Sequence, residues 1–260
     1  MSGAPDQVSP VVVARRGTVL EVTLNRPERR NAIDLATAVM VGQAMDLLDA
    51  DPGLSVAIIA GAGGTFSAGM DLKAFAAGER PVVPGKGFAG LIEAPPRKPL
   101  IAAVEGYALA GGMEVALAAD LIVAASDAVF GIPEVKRGLV AAGGALLKLG
   151  ERLPFHVAMD LALTGRRLDA TEAMEWGLVA RLAEPGEALA CARELAATIA
   201  DNGPLALRVS KQVLYAARDW PRDEMFARQR ELTNPVFASA DAAEGALAFT
   251  QKRPPVWTLT

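Results

Sequence analysis

The stretch that decides the fold is IAAVEGYALAGGMEVALAAD, residues 101–120. It opens on a short apolar run, residues 101–104, with the length and composition of a buried strand. Gly106 and the pair Gly111-Gly112 break that run, and residues 115–119 read as helix. A strand that yields through glycines to a helix leaves backbone N–H groups free at the helix start, aimed at whatever sits there. Inside this apolar helix start stands one carboxylate, Glu114, three residues after Gly111. An acid beside a group of amide donors is an odd thing to build for stability alone. The sequence points to chemistry here.

Working outward, the same pattern recurs on both sides. Residues 10–14 and 18–24 are β-branched runs separated by Arg15-Arg16-Gly17, which predicts a hairpin. Asn25-Arg26-Pro27 ends the second strand, because proline cannot continue the ladder. Asp34 reads as the N-cap of a helix reaching about Ala50, closed by Asp51-Pro52-Gly53. Residues 56–60 form a short apolar strand that runs into Gly61-Ala62-Gly63-Gly64. Residues 76–90 mix glycine, proline and charge without a period, and read as a mobile loop. Beyond the opening stretch come strands at 121–125 and 129–130, a turn at Gly138, and helices at about 142–150, from Pro154, and at 170–176. From Glu187 onward the pattern is helical, with breaks at Gly203-Pro204, Pro221 and Pro235. The order predicts an α/β fold with a helical C-terminal extension.

Composition excludes several classes. The 260 residues are 52% hydrophobic, with a mean hydropathy of +0.27, yet charges interrupt every apolar run before the roughly 18–20 residues a membrane span needs. The first ten residues, MSGAPDQVSP, lack the basic and apolar regions of a secretory signal. A single cysteine, Cys191, allows no internal disulfide framework and fits a reducing, cytoplasmic setting. The net charge of −4 offers no footprint for nucleic acid. No His/Cys/Asp cluster has metal-ligand spacing. His156, the only histidine, has no acid or nucleophile placed for a triad, and Cys191 lies in an alanine-rich helical pattern that suits packing.

Three motifs carry the chemistry, each with a plainer alternative. GAGG after a strand invites a dinucleotide fingerprint, but Phe66 stands where the third glycine belongs and no Gly-Lys-Ser/Thr follows; a plain turn is the other reading. Ala68-Gly69-Met70-Asp71 and Gly111-Gly112 each place small residues just after a buried strand. Two backbone N–H groups converging on one carbonyl oxygen make an oxyanion hole, worth about 3 kcal/mol per donor removed. Glu114 reads either as a helix-dipole acid or as an acid–base group, and Glu134 either as a solvated acid paired with Lys136 or Arg137 or as its catalytic partner.

FSAGMDLK (residues 66–73), VEGYALAGGMEVALAAD (104–120), FGIPEVKRGLVAAGGALLKL (130–149) and LAFTQKRPPVW (247–257) resemble the enoyl-CoA hydratase/isomerase (crotonase) family. The match extends from the hairpin and NRPERRNAI to the C-terminus. The resemblance implies a spiral of ββα units over residues 1–196 and a helical oligomerisation region over 197–260, assembled as a homotrimer or a dimer of trimers. It implies an acyl-CoA thioester as substrate, with CoA as part of that substrate and no metal or redox cofactor. The oxyanion donors would be Met70 and Gly111. Glu114 would activate water and Glu134 would transfer the proton at C2. CoA contacts would come from the backbone at Ala68, Asp71 and Leu72, from Lys73 and Arg29 or Arg30, and from Phe249 and Lys252, supplied in some members by a neighbouring subunit. For the basic residues an exposed, solvated charge is the alternative.

Both glutamates being present favours hydratase or dehydratase chemistry over a simple double-bond shift, which needs one acid. One departure stands out: the family's proline–glycine turn after the second glutamate is replaced by Leu139-Val140-Ala141-Ala142-Gly143-Gly144, where Ala142 could supply the amide that holds water. This loop, with Gly87-Phe88-Ala89-Gly90-Leu91 and the Pro-Val-Trp tail, resembles carnitinyl-CoA dehydratases. An isomerase, a non-catalytic acyl-CoA-binding protein and an RNA-binding relative are the other readings, the last opposed by the acidic charge.

Overall fold

The structure, a computed structural model, describes residues 9–258; residues 1–8, which hold most of the stretch examined for a leader, and 259–260 lie outside it. The predicted hairpin is β1 (Val11–Arg16) and β2 (Val19–Leu24), antiparallel, with Arg15 and Arg16 inside β1 and the turn at Gly17. Helix α1 (Leu35–Ala50) follows, capped by Asp34, whose side chain accepts the Thr37 N–H. Then come β3 (Val56–Gly61), α2 (Leu72–Ala76), β4 (Val82–Val83), β5 (Gly87–Phe88) and β6 (Leu100–Val104). The middle of the chain holds β7 (Tyr107–Leu109), α3 (Gly111–Ala118), β8 (Leu121–Ala125), β9 (Val129–Gly131), a 3₁₀ turn at Pro133–Arg137, α4 (Ala145–Arg152), α5 (Phe155–Thr164), β10 (Leu168–Asp169) and α6 (Ala170–Glu175). The last elements are β11 (Arg181–Ala183), α7 (Ala188–Ala200), α8 (Pro204–Ala216), α9 (Met225–Phe237) and α10 (Ala240–Thr250).

Six strands form the main sheet in the order β1-β2-β3-β6-β8-β11, parallel from β2 onward. Both of its faces are covered, which is why β3, β6 and β8 read as unbroken apolar runs rather than alternations. Ile59, Ala102, Val104 and Ile122 join the large core on one face. Val56, Ile58, Ile101 and Val123 meet Ala192, Leu195 and Ala196 of α7 on the other. A second, small sheet, β10-β9-β7, is extended by isolated bridges from Ser67 to Ala108 and from Met70 to Ile33. It carries the site.

Two expectations fail. Residues 76–90 are not a structureless loop: β4 and β5 pair as a hairpin, and Ala89, Gly90 and Leu91 are buried. The segment lacks periodicity because its turns run through left-handed residues, Gly85, Gly87, Ala89 and Gly90, rather than through a repeating face. Pro235 does not break the last helices. It lies inside α9, within its final turn, where losing one N–H ends little that would otherwise continue. The two- and three-residue strands β7, β10 and β11 were too short to show an alternation.

Candidate active site

Asn31, buried and left-handed at φ 52°, fixes one wall. Its side chain accepts the Arg26 N–H and donates to the carbonyls of Ala62 and Thr65. Its own carbonyl accepts the Ser67 hydroxyl, and the Ser67 oxygen accepts the Gly69 N–H. Arg26 pairs with Asp34 at 3.0 Å and Asp71 at 2.9 Å. The strand–turn 67–71 is thereby tied to the corner before α1, which brings Met70 to the rim of the small sheet.

The opposite wall is the start of α3. Ala110 takes φ 51°, ψ −127°, a region that a side chain resists and that costs roughly 1–3 kcal/mol. The strained turn sets the direction of the next amide. A Cβ added at Gly69 would stand 2.7 Å from the Gly111 nitrogen, and one at Gly111 would stand 3.3 Å from the Met70 nitrogen. The two segments therefore touch backbone to backbone. The neighbouring amides are used, Asp71 to Ile33 and Ala110 to Gly131, whereas Met70 and Gly111 donate to no backbone carbonyl among the described residues. Two unused N–H groups sit side by side.

Glu114 is 6% exposed, one turn along α3 from Gly111. Its Oε1 accepts the Ala145 N–H at 3.3 Å. Burial raises its pKa above the ordinary carboxylate value, and the amide hydrogens of Ala145 and Gly143 pull it partly back. Glu114 stands in the first turn of α3, and its side-chain partners come from the turn before α4. In that turn the amides of Gly143 and Ala145 address Glu114 itself. Gly144, at φ 106°, makes this geometry available.

Glu134 lies in the 3₁₀ turn after Pro133, with a buried Oε2 that has no hydrogen-bond partner among the described residues. Burial raises its pKa; its own backbone N–H pulls down, the Glu114 charge pushes further up, and Arg137 pulls down. The solvated, ion-paired reading is overturned. A buried carboxylate with an unpaired oxygen is costly in a structural role. Two acids within electrostatic reach, each with its pKa raised chiefly by burial, form a pair suited to acid–base work.

The other predicted residues divide. Ala68 donates its N–H to Arg30 and stands one residue before Gly69. Asp71 is buried and structural: it caps α2 through Lys73 and Ala74 and pairs with Arg26. Against the burial that would raise it, the Ala74 N–H, Arg26 and the Lys73 N–H hold its pKa below the ordinary value. Leu72 and Lys73 are exposed on α2, and the Arg29 side chain is half exposed, 4.0 Å from Asp71. Phe249, 85% exposed, and Lys252 lie at the end of α10, whose packing partner is α9, and are not brought to the glutamates within this chain. Sequence reasoning gave Phe88 only as part of a loop resembling carnitinyl-CoA dehydratases and missed Ile92; the Phe88 ring lies 2.5 Å from the Cβ position of Gly111, and Ile92 2.9 Å from that of Gly144. It also missed a cleft of about 330 Å³ beside Leu109 and Pro133, bordered by Lys136, Arg137 and Arg167. Among the described residues no group of His, Cys, Asp and Glu is placed to hold a metal ion, and no helix is long and apolar enough to cross a membrane.

Comparison with known proteins shows what the whole chain is similar to. A family profile described as enoyl-CoA hydratase/isomerase matches residues 14–259. A carnitinyl-CoA dehydratase of Salmonella arizonae is 46% identical over 254 residues, covering 94% of this chain and 97% of the relative. The crystal structure of an enoyl-CoA hydratase from Mycobacterium tuberculosis H37Rv superposes with a TM-score of 0.96 at 58% identity, covering 97% of this chain and all of that one. A carnitinyl-CoA hydratase from Mycobacterium avium superposes at 0.79 with 42% identity, over 98% of this chain and 100% of that one.

Proposed function

The chain belongs to the enoyl-CoA hydratase/isomerase family, and from that premise we propose that it is an enoyl-CoA hydratase, adding water reversibly across the 2,3 double bond of a 2-enoyl-CoA thioester. The observation that carries this reading is the buried Glu114 with the half-buried Glu134, whose Oε2 is itself buried, beside two amides with no backbone acceptor among the described residues.

The N–H groups of Met70 and Gly111 hold the thioester oxygen. Glu114, as carboxylate, takes a proton from water as the oxygen bonds to C3. The alkene electrons move onto the thioester as an enolate, whose negative oxygen the two amides stabilise. The enolate then takes a proton at C2 from Glu134, present as the acid. Glu114 ends protonated and Glu134 ionised, and one proton returning between them completes the cycle. No net oxidation occurs, so the reading calls for no redox cofactor.

Ala68, Leu72, Lys73 and Arg29 form the proposed CoA side, with Phe249 and Lys252 supplied by a neighbouring subunit. Exposed Phe226, Phe237 and Phe249 on α9 and α10 support a homotrimer or dimer of trimers built through residues 197–260. We place the protein in the cytoplasm. A second reading, dehydration of carnitinyl-CoA, is favoured by the relatives of that name. Steady-state assays with crotonyl-CoA and carnitinyl-CoA test the two: turnover of the first supports the hydratase, and turnover of the second alone replaces it with the dehydratase.

A further inference from the structure

Residues 87–92 are anchored where the sequence predicts mobility. Gly87, Ala89 and Gly90 all take positive φ, at 73°, 57° and 65°. Gly90 is pressed onto α1: a Cβ there would stand 2.9 Å from the Gly42 nitrogen and inside the Ala38 carbonyl oxygen. Ala89 and Leu91 are 1% and 0% exposed and belong to the main core. The Leu91 and Ile92 N–H groups both donate to the Phe88 carbonyl. With its alternate residues locked into the core, the segment leaves Phe88 and Ile92, half-buried, facing elsewhere.

Phe88 faces the Gly111 and Met70 backbone, and Ile92 faces the turn that supports Glu114. The Phe88 ring and the Met70 nitrogen lie within 2.5 and 3.3 Å of one point, the Cβ position of Gly111. Ile92 Cγ2 lies 2.9 Å from the Cβ position of Gly144, which stands between the two residues whose amides hold the Glu114 carboxylate. Glycine at 111 and 144 is the vacancy that each side chain fills.

We propose that Phe88 and Ile92 close the acyl end of the site and restrict it to short 2-enoyl thioesters. This rests on the hydratase reading for the direction of the acyl chain. With the thioester oxygen on Met70 and Gly111 and C3 beside Glu114, carbons beyond C4 need the volume that the phenyl ring and the isoleucine occupy. The segment is held at its backbone by α1, so the restriction is built into the fold and does not await a closing motion.

The test compares the native protein with Phe88→Ala, Phe88→Leu and Ile92→Ala. kcat/KM is measured for 2-enoyl-CoAs from about four to about ten carbons; the native value falls at least about tenfold across that range, and Phe88→Ala shifts the ratio at least about tenfold toward the longer chains. Calorimetric Kd values for saturated acyl-CoAs of the same lengths give a second readout that needs no turnover. A buried methylene is worth about fourfold in affinity; the native protein gains nothing beyond the shortest chain, and the alanine variants gain. Native affinity that climbs with every methylene, or a folded Phe88→Ala or Phe88→Leu with an unchanged profile, overturns the proposal. Equal turnover at all lengths sinks this restriction and leaves the hydratase standing. Binding that behaves as stated without any turnover sinks the hydratase and leaves the restriction standing.

Discussion

Glu114 lies against the Cα of Gly143. A Cβ built at that glycine would stand 2.8 Å from the Glu114 Cδ and closer still to Oε2, so residue 143 can carry no side chain while the carboxylate keeps its place. The glycine is needed for space rather than for a left-handed backbone, since Gly143 is absent from the positive-φ residues. One turn therefore both supplies amide hydrogens to the acid and leaves room for it.

Gly143→Ala is expected to displace the carboxylate and lower kcat by at least about tenfold, because misplacement by an ångström can cost about a hundredfold. Calorimetry with CoA alone should give the native Kd. A variant with native turnover shows that the Glu114 position is not critical.

Glu114→Gln and Glu134→Gln each should lower kcat by at least about a hundredfold while CoA binding persists. Steady-state kinetics paired with CoA titration checks this. Unchanged turnover in both variants removes the acid–base roles.

The sequence revealed the positions of these acids but not their surroundings. The spacing of Gly111 and Glu114 was legible because three residues of helix bring them to one face. The long apolar strands, the Asp34 cap and the hairpin were legible for the same local reasons. Phe88, Ile92 and Gly143 were not, because each matters through a contact with a residue more than twenty positions away that no local pattern encodes. Residues 76–90 look unstructured in sequence because their order comes from α1, through Gly90 against Ala38 and Gly42. The buried pairing of the Asp71 side chain with Arg26 is equally a long-range fact.

Glu134→Gln should also stabilise the fold at neutral pH. The folded pKa of Glu134 lies above its ordinary value of 4.5, so the folded state holds more protons than the unfolded one between those two values. Stability from this group is then greatest below the unfolded pKa and is lost as pH rises toward the folded pKa. Thermal unfolding of the variant should show a Tm above native at pH 7, with the gain shrinking toward pH 4.5. A lower Tm at neutral pH contradicts the burial cost assigned to this acid.

Asn31→Ala removes one accepted and two donated hydrogen bonds and leaves the Ala62 and Thr65 carbonyls unpaired. It also places alanine at φ 52°. A loss of about 3 kcal/mol is expected, read from denaturant midpoints. A loss under about 1 kcal/mol shows that the corner is held mainly by Arg26.

The most direct test follows the atoms. Crotonyl-CoA is incubated with the protein in D₂O and the product is analysed by mass spectrometry. The account predicts a 3-hydroxyacyl-CoA with deuterium at C2, formed by the native protein and lost in Glu114→Gln and Glu134→Gln. Recovery of crotonyl-CoA unchanged, or of a shifted double bond with no hydroxyl gained, contradicts it.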